Sequence, residues 1–261
     1  MSKLEDSILL EDNETSYFRI GKLNLWLRRR HSDWLLNYQH DDVRIRKAPE
    51  EPTAVDDMEE STWQRWAFND QNDTVLIESV MPDRPLVVRP IIPLSIHPKT
   101  SVNFLVRVPL WIAVKIKNPK ANILLKELPS EILSDTWFGT PFEGELCYAL
   151  KSPAARSMEE LKREGFFAIS QVTISNNSPE ILPVSKFTIR VDYLSIYESE
   201  NMKWANDVVV NFRDKKMPTL LNYSTKPPKN VKNAELIKAS RKMPDNNLIR
   251  KTIGNYFNAI L

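Results

Sequence analysis

Apolar residues in this chain recur at every second position. In Asn103-Phe104-Leu105-Val106-Arg107-Val108, the side chains of Phe104, Val106 and Val108 share one parity, as do Phe187, Ile189 and Val191 in a later stretch. A β-strand turns successive side chains to opposite faces, so this spacing predicts strands with one buried face. Runs rich in Val, Ile, Phe, Tyr and Trp lie at 17–20, 23–27, 34–38, 74–80, 102–108, 111–116, 145–150, 166–174, 187–191 and 208–212. Breakers separate them: Pro82-Asp83-Arg84-Pro85, His97-Pro98-Lys99, Asn118-Pro119-Lys120 and Asn176-Asn177-Ser178-Pro179. Prolines number 18 and glycines only 5, which disfavours both long helices and glycine-rich phosphate loops. The expected fold is all-β, an antiparallel β-sandwich, as one elaborate sandwich or two in tandem. An N-terminal segment (1–14) precedes a body spanning 15–225, with a subdivision expected near 128–135.

Three segments depart from the strand pattern. Ser157-Met158-Glu159-Glu160 reads as a capping box with Gly165 as a C-cap, which predicts a short helix over 158–164. Residues 47–60 carry Glu50, Glu51, Asp56, Asp57, Glu59 and Glu60 with little apolar content, an exposed acidic loop. Residues 226–261 form a basic arm ending in an amphipathic stretch. Lys226, Lys229, Lys232, Lys238, Arg241, Lys242, Arg250 and Lys251 face only Glu235 and Asp245. Leu248, Ile249, Ile253, Tyr256, Phe257 and Ile260, with Leu261, fall on one helical stripe. That stripe is a candidate interaction surface. It has three readings: docking on the body with solvated lysines, a seam for self-association or a protein partner, and contact with nucleic acid or an anionic membrane.

The whole chain of 261 residues carries a net charge of +2, so no polyanionic partner is indicated by overall charge. The one cysteine, Cys147, forms no internal disulfide. The N-terminus is polar and acidic, unlike a signal peptide, and no apolar run approaches the ~20 residues of a membrane span. The expected compartment is the cytoplasm.

No catalytic, cofactor or metal motif emerges. The histidines, His31, His40 and His97, have no ligand spacing. His40 precedes Asp41 and Asp42, and a strand end that brought His31 near would make a metal site, set against a solvated turn. No serine lies in a nucleophile elbow. Cys147, in Glu145-Leu146-Cys147-Tyr148, reads as a buried small hydrophobe before it reads as a reactive thiol. Trp63, Trp66, Trp137 and His97 are the candidate ligand-lining residues, because exposed aromatic faces stack on sugars and bases. The competing reading is that the aromatics close the end of a β core.

Several stretches carry a resemblance. Trp137-Phe138-Gly139-Thr140-Pro141, Gly144-Glu145-Leu146-Cys147-Tyr148, the run 172–177, and Val191-Asp192-Tyr193-Leu194-Ser195-Ile196-Tyr197 follow one another in the order and spacing of a known family. With the proline-rich stretch 90–109, the chain over roughly 15–215 resembles the domain of unknown function 432 family of archaea and some bacteria. That family tends to place a basic residue just after the cysteine, where Tyr148-Ala149 stand here, and the arm from Lys226 lies outside the resemblance. The resemblance implies an intracellular β-rich domain and brings no catalytic residues. Locally, Gly139 and Pro141 suit a tight turn, Gly144 a bulge or close approach, and Asn176-Asn177 left-handed loop positions. Tyr193 and Tyr197 would share a face of one strand.

Two functions remain open. One is a non-catalytic binding or assembly module acting through a sheet edge or the C-terminal helix. The other is a ligand- or carbohydrate-binding protein, or an enzyme whose site is assembled from scattered residues.

Overall fold

The computed structural model describes residues 7–41, 59–69, 73–214 and 219–243. These residues are nearly all strand, turn and loop, with 3-10 turns at Glu60–Thr62 and Val191–Tyr193. Strands are numbered here in chain order through two compact units.

The first unit comprises Met1–Val80, Pro109–Ile132 and Glu164–Phe166. One antiparallel sheet has the order β1 (Ser7–Leu9), β6 (Thr74–Val80), β10 (Trp111–Ile116), β11 (Ile123–Pro129). A second is a meander of β2 (Thr15–Ile20), β3 (Leu23–Arg30), β4 (Asp33–His40) and β5 (Gln64–Trp66). Period two decides which residues they bury. Val75 and Ile77 of β6 and Ile112, Val114 and Ile116 of β10 join Leu23, Leu25 and Leu27 of β3 and Trp34 and Leu36 of β4 in one apolar cluster. Burying each such side chain contributes roughly 1.5–3 kcal/mol against the entropy of ordering the chain.

Tight turns set the register of the meander. Ile20 pairs with Leu23, and Arg30 with Asp33, so each loop has two residues. Gly21 supplies the positive φ (62°) in the first loop, and His31 supplies it (59°) in the second.

The second unit comprises Met81–Val108, Leu133–Arg163 and Phe167–Leu261. One sheet runs β12 (Asp135–Phe138), β13 (Glu145–Ser152), β7 (Leu86–Pro90), β16 (Phe187–Ile189). A larger sheet runs β20 (Leu220–Tyr223), β19 (Val208–Phe212), β14 (Phe167–Asn176), β18 (Met202–Ala205), β17 (Ile196–Ser199), β21 (Glu235–Lys238), with β9 (Thr100–Pro109) also paired to β14. A small ladder joins β8 (Leu94–Ile96) to β15 (Leu182–Val184). The antiparallel expectation fails at three ladders: β13 runs parallel to β7, and β14 runs parallel to both β18 and β19. Parallel neighbours need long crossovers, which alternation within a strand does not encode. Phe104 meets Phe187 edge-on at 5.4 Å between ring centroids.

Three local expectations are corrected. No helix forms over 158–164; the segment is a series of turns and bends. The bonds differ from the expected box: Glu160 Oε2 accepts from the Arg156 N–H (2.9 Å), and Leu161 N–H donates to Met158 O (3.3 Å). A helix this short does not repay its nucleation. Instead Leu161 is buried with Ala155 and Ile169, and Ala155 bridges to Leu105 of β9. Tyr193 and Tyr197 do not share a strand, because Tyr193 closes a 3-10 turn and Tyr197 lies in β17. Asn176 and Asn177 do not take positive φ.

The Asn176 side chain acts as a plug. Fully buried, it donates to the carbonyls of Ile96 (2.9 Å), His97 (3.2 Å) and Glu180 (2.7 Å) and accepts from Ser178 Oγ (2.7 Å). Asn206 works alike, accepting from Ser195 N–H (2.6 Å) and donating to Ser224 O (2.7 Å). Buried loop carbonyls need such partners. The acidic loop expected over 47–60 lies mainly outside the described residues, as does the whole C-terminal stripe from Leu248 to Ile260.

Candidate functional site

Among the described residues, the β12–β13 hairpin presents the most exposed aromatic surface of the second unit. Trp137 pairs directly with Leu146, so both project from one face, 49% and 43% exposed. Phe142, on the connecting loop, is 97% exposed. Cys147, of opposite parity, points inward to Val87 and Phe138. The loop is fixed by close packing. Trp137 Nε1 donates to Thr140 O (2.9 Å), and Glu143 N–H donates to Thr140 Oγ1 (2.8 Å). Gly139 has φ +128°, which L side chains rarely adopt. A Cβ on Gly144 would stand 2.1 Å from the indole nitrogen of Trp137. The expected close approach at Gly144 is therefore to a ring. β12 ends its sheet, and among the described residues no strand pairs with its outer side.

The other candidate ligand-lining residues are dispersed. Trp66 pairs with Trp34 and packs against the core of the first unit. Trp63 is half-buried, with the Arg28 guanidinium 4.9 Å over its ring. His97, in the second unit, sits exposed on the turn between β8 and β9, where its carbonyl accepts from Thr100 Oγ1 (2.8 Å).

The proposed pairing of His31 with His40 does not occur. Arg30 faces Asp33 and Leu23 faces His40, which puts the two histidines at opposite ends of β4, roughly 25 Å apart at strand rise. His40 Nε2 lies 2.7 Å from Pro129 O, and His31 faces Asp12. Among the described residues, no group of three or more His, Cys, Asp or Glu side chains gathers as a metal site.

An ion pair that sequence reading missed lies at the end of the β12–β13–β7–β16 sheet. Arg190 follows β16 and Glu145 begins β13, so both stand beyond the start of β7. The guanidinium is bidentate to the carboxylate, with Nη1 donating to Oε2 at 2.9 Å and Nη2 to Oε1. Burial opposes the Arg190 charge, but the Glu145 hydrogen bonds and charge outweigh it and raise its pKa. The Arg190 N–H donates to the Tyr223 hydroxyl (2.8 Å). Burial pushes the Tyr223 phenol up strongly. Burial, with the Glu145 charge, pushes the Cys147 thiol up to about 12, which makes it a buried hydrophobe and not a nucleophile. Period two placed Arg190 within the expected strand 187–191, on the face opposite Phe187, Ile189 and Val191. Nothing in the sequence paired it with Glu145, 45 positions away.

The basic arm is partly built into the second unit. β21 pairs with β17, Lys242 Nζ lies 2.9 Å from Asp192 Oδ2, and Arg241 Nη2 donates to Met81 O (2.7 Å). Among the described residues, no helix is long and apolar enough to cross a membrane.

No curated protein and no solved structure matches the chain. A family model does match, over residues 6–257, and it takes in the arm from Lys226 that the sequence resemblance left out. With the motifs of the hairpin and of β14 now placed in the fold, the chain belongs to the family described as "Protein of unknown function (DUF432)".

Proposed function

We propose that the chain is a non-catalytic protein-binding module of the cytoplasm, engaging an extended apolar segment of a partner protein along the edge strand β12. One observation carries this: Trp137 and Leu146 stand side by side on the outer face of the edge hairpin, with the exposed Phe142 on its connecting loop, where Gly139 and Gly144 leave no room for a Cβ. An edge strand offers backbone hydrogen bonds to an added strand, and a rigid apolar pair offers a pocket for alternate side chains of that strand. Aromatic anchors of this kind lose little entropy on binding. The lone buried Cys147 suits a reducing compartment. We read the first unit, with two sheets sharing one core, as a β-sandwich that carries no part of this surface.

Selection of a random extended-peptide library against the full chain tests the proposal. Enriched peptides are expected to alternate apolar and polar residues. Their binding should weaken at least about tenfold in Trp137→Ala, given the usual cost of truncating an aromatic anchor. Leu9→Ser, an exposed site in the first unit, should leave it unchanged. Equal binding to Trp137→Ala would refute the proposal.

A further inference from the structure

The outer face of the β2–β5 sheet holds a second feature, independent of the hairpin. A concavity of about 500 Å³ is lined by Arg30, His31, Ser32, Asp33, Leu35 and Arg65. Register explains the convergence. Arg30 faces Asp33 across β3–β4, and Leu35 faces Arg65 across β4–β5. Asp33 and Leu35 are two apart, so all four residues share one face. That face lies opposite the one bearing Trp34 and Leu36, which line the core.

The three consecutive arginines at the end of β3 have different employment. Arg28 Nε donates to Thr15 Oγ1 (2.7 Å) and its guanidinium lies over Trp63. Arg29 Nη1 donates to Leu10 O (2.9 Å). The Arg30 side chain is exposed and has no ion-pair or hydrogen-bond partner among the described residues. Arg65 is braced, because its Nε donates to Asp33 Oδ2 (2.6 Å) and its Nη2 meets the same oxygen. Of the lining residues, two guanidiniums stand with the one carboxylate of Asp33, and Asp12 adds a second carboxylate behind His31.

The turn itself is held in an unfavourable form. His31 takes the positive φ that Gly21 takes in the neighbouring hairpin. Asp12 holds it there, accepting from the His31 N–H (2.5 Å) with its other oxygen 3.2 Å from Nδ1. Backbone strain of this kind persists only where neighbouring contacts hold it.

We propose that this concavity binds the phosphoryl group of a small phosphorylated molecule. Arg30 supplies an open fork, Arg65 the guanidinium edge that Asp33 does not occupy, Ser32 a hydroxyl donor, and Leu35 an apolar floor for the rest of the ligand. A small ligand fits better than a nucleic acid. Asp12 and Glu14 lie on the neighbouring β1–β2 turn and would repel a continuing phosphate backbone.

The test is calorimetric titration of the full chain with sodium pyrophosphate at low ionic strength. Saturable binding with one site is expected. Arg30→Ala and Arg65→Lys should each weaken it about tenfold or more, as loss of a charge-assisted bidentate contact does. Arg19→Ala, which removes an exposed arginine bound to Asp41 elsewhere on the sheet, should leave it unchanged. Arg30 and Arg65 are exposed, so these variants keep the core, and Ser32→Ala gives a further readout without altering charge. Absence of saturable heat overturns the proposal. So does an equal loss in Arg19→Ala, which would indicate diffuse surface charge. A single-stranded oligonucleotide binding through Arg30 where pyrophosphate does not would also overturn it.

Discussion

The indole of Trp137 lies directly over Gly144, with the nearest ring atom 2.1 Å from where a Cβ would be. At Gly139 the obstacle is backbone: a Cβ there would stand 2.3 Å from Gly144 Cα, at φ +128°. A half-exposed ring can swing aside, whereas backbone cannot. Gly144→Ala is therefore expected to cost about 1–3 kcal/mol by overpacking and to break the Trp137–Thr140 hydrogen bond. Gly139→Ala should cost more. Urea denaturation gives the ranking, and a change in tryptophan emission reports the displaced ring. Equal costs would mean that the ring is as immovable as the backbone.

Asn176→Ala should be among the most damaging polar truncations. It removes a donor from the carbonyls of Ile96, His97 and Glu180, of which His97 O keeps Thr100 Oγ1 and Glu180 O keeps Ser178 Oγ, at about 1–3 kcal/mol for a buried group left unpaired. Asn176→Asp keeps the shape but offers no donor, and should not rescue. Unfolding midpoints check both, and a fall below ~1 kcal/mol would show that water replaces the amide.

The Arg190–Glu145 pair is mostly buried, at 11% and 30% side-chain exposure. Glu145→Ala should destabilise by about 3 kcal/mol, since it strands a buried guanidinium. Replacing both residues together, as Arg190→Met with Glu145→Leu, should cost much less. A double-mutant cycle in urea measures the coupling; additive losses would mean the two residues do not act as a pair.

Alkaline pH should weaken the fold through Cys147. Burial pushes its thiol from the ordinary value of 9.0 up to about 12 in the folded chain. Between these values the unfolded chain gives up a proton that the folded chain keeps, so stability falls as pH rises. Tyr148, raised to about 12 chiefly by burial, adds to the fall above pH 10.0. Cys147→Ala should flatten the early part of the slope. Native Cys147 should resist Ellman's reagent and react only on unfolding. Rapid native labelling would contradict both expectations.

His31→Gly should stabilise the chain by up to about 1 kcal/mol, because the left-handed cost of a non-glycine residue exceeds the extra entropy of glycine. The lost Asp12 contact subtracts from this, but both groups are exposed and the contact is weak. Thermal unfolding decides it; a lower midpoint would show that the Asp12 clamp outweighs the strain.

Much of the secondary structure was legible in residue pattern. Phe104, Val106 and Val108 are buried on β9 as their spacing requires, and Leu23, Leu25 and Leu27 likewise on β3. Asn118-Pro119-Lys120 and Pro82-Asp83-Arg84-Pro85 fall between strands. Short strands such as β5, β8 and β15 gave no signal, since three residues cannot show a period. Trp137 and Gly144 were both legible as features, but not their contact.

The sequence by itself determined the all-β class, the inward and outward faces of the long strands, and the glycine turn beside Trp137. Those properties depend on neighbours within a few positions, where backbone sterics and strand parity act. Tertiary structure alone decided which strands became partners, and so the parallel ladders of β14, the Arg190–Glu145 pair and the meeting of Arg30 with Arg65. Those contacts join residues tens of positions apart, and their energies come from packing and charge in three dimensions. For the same reason Ser157 to Gly165, locally written as a helix, gave way to the burial of Leu161.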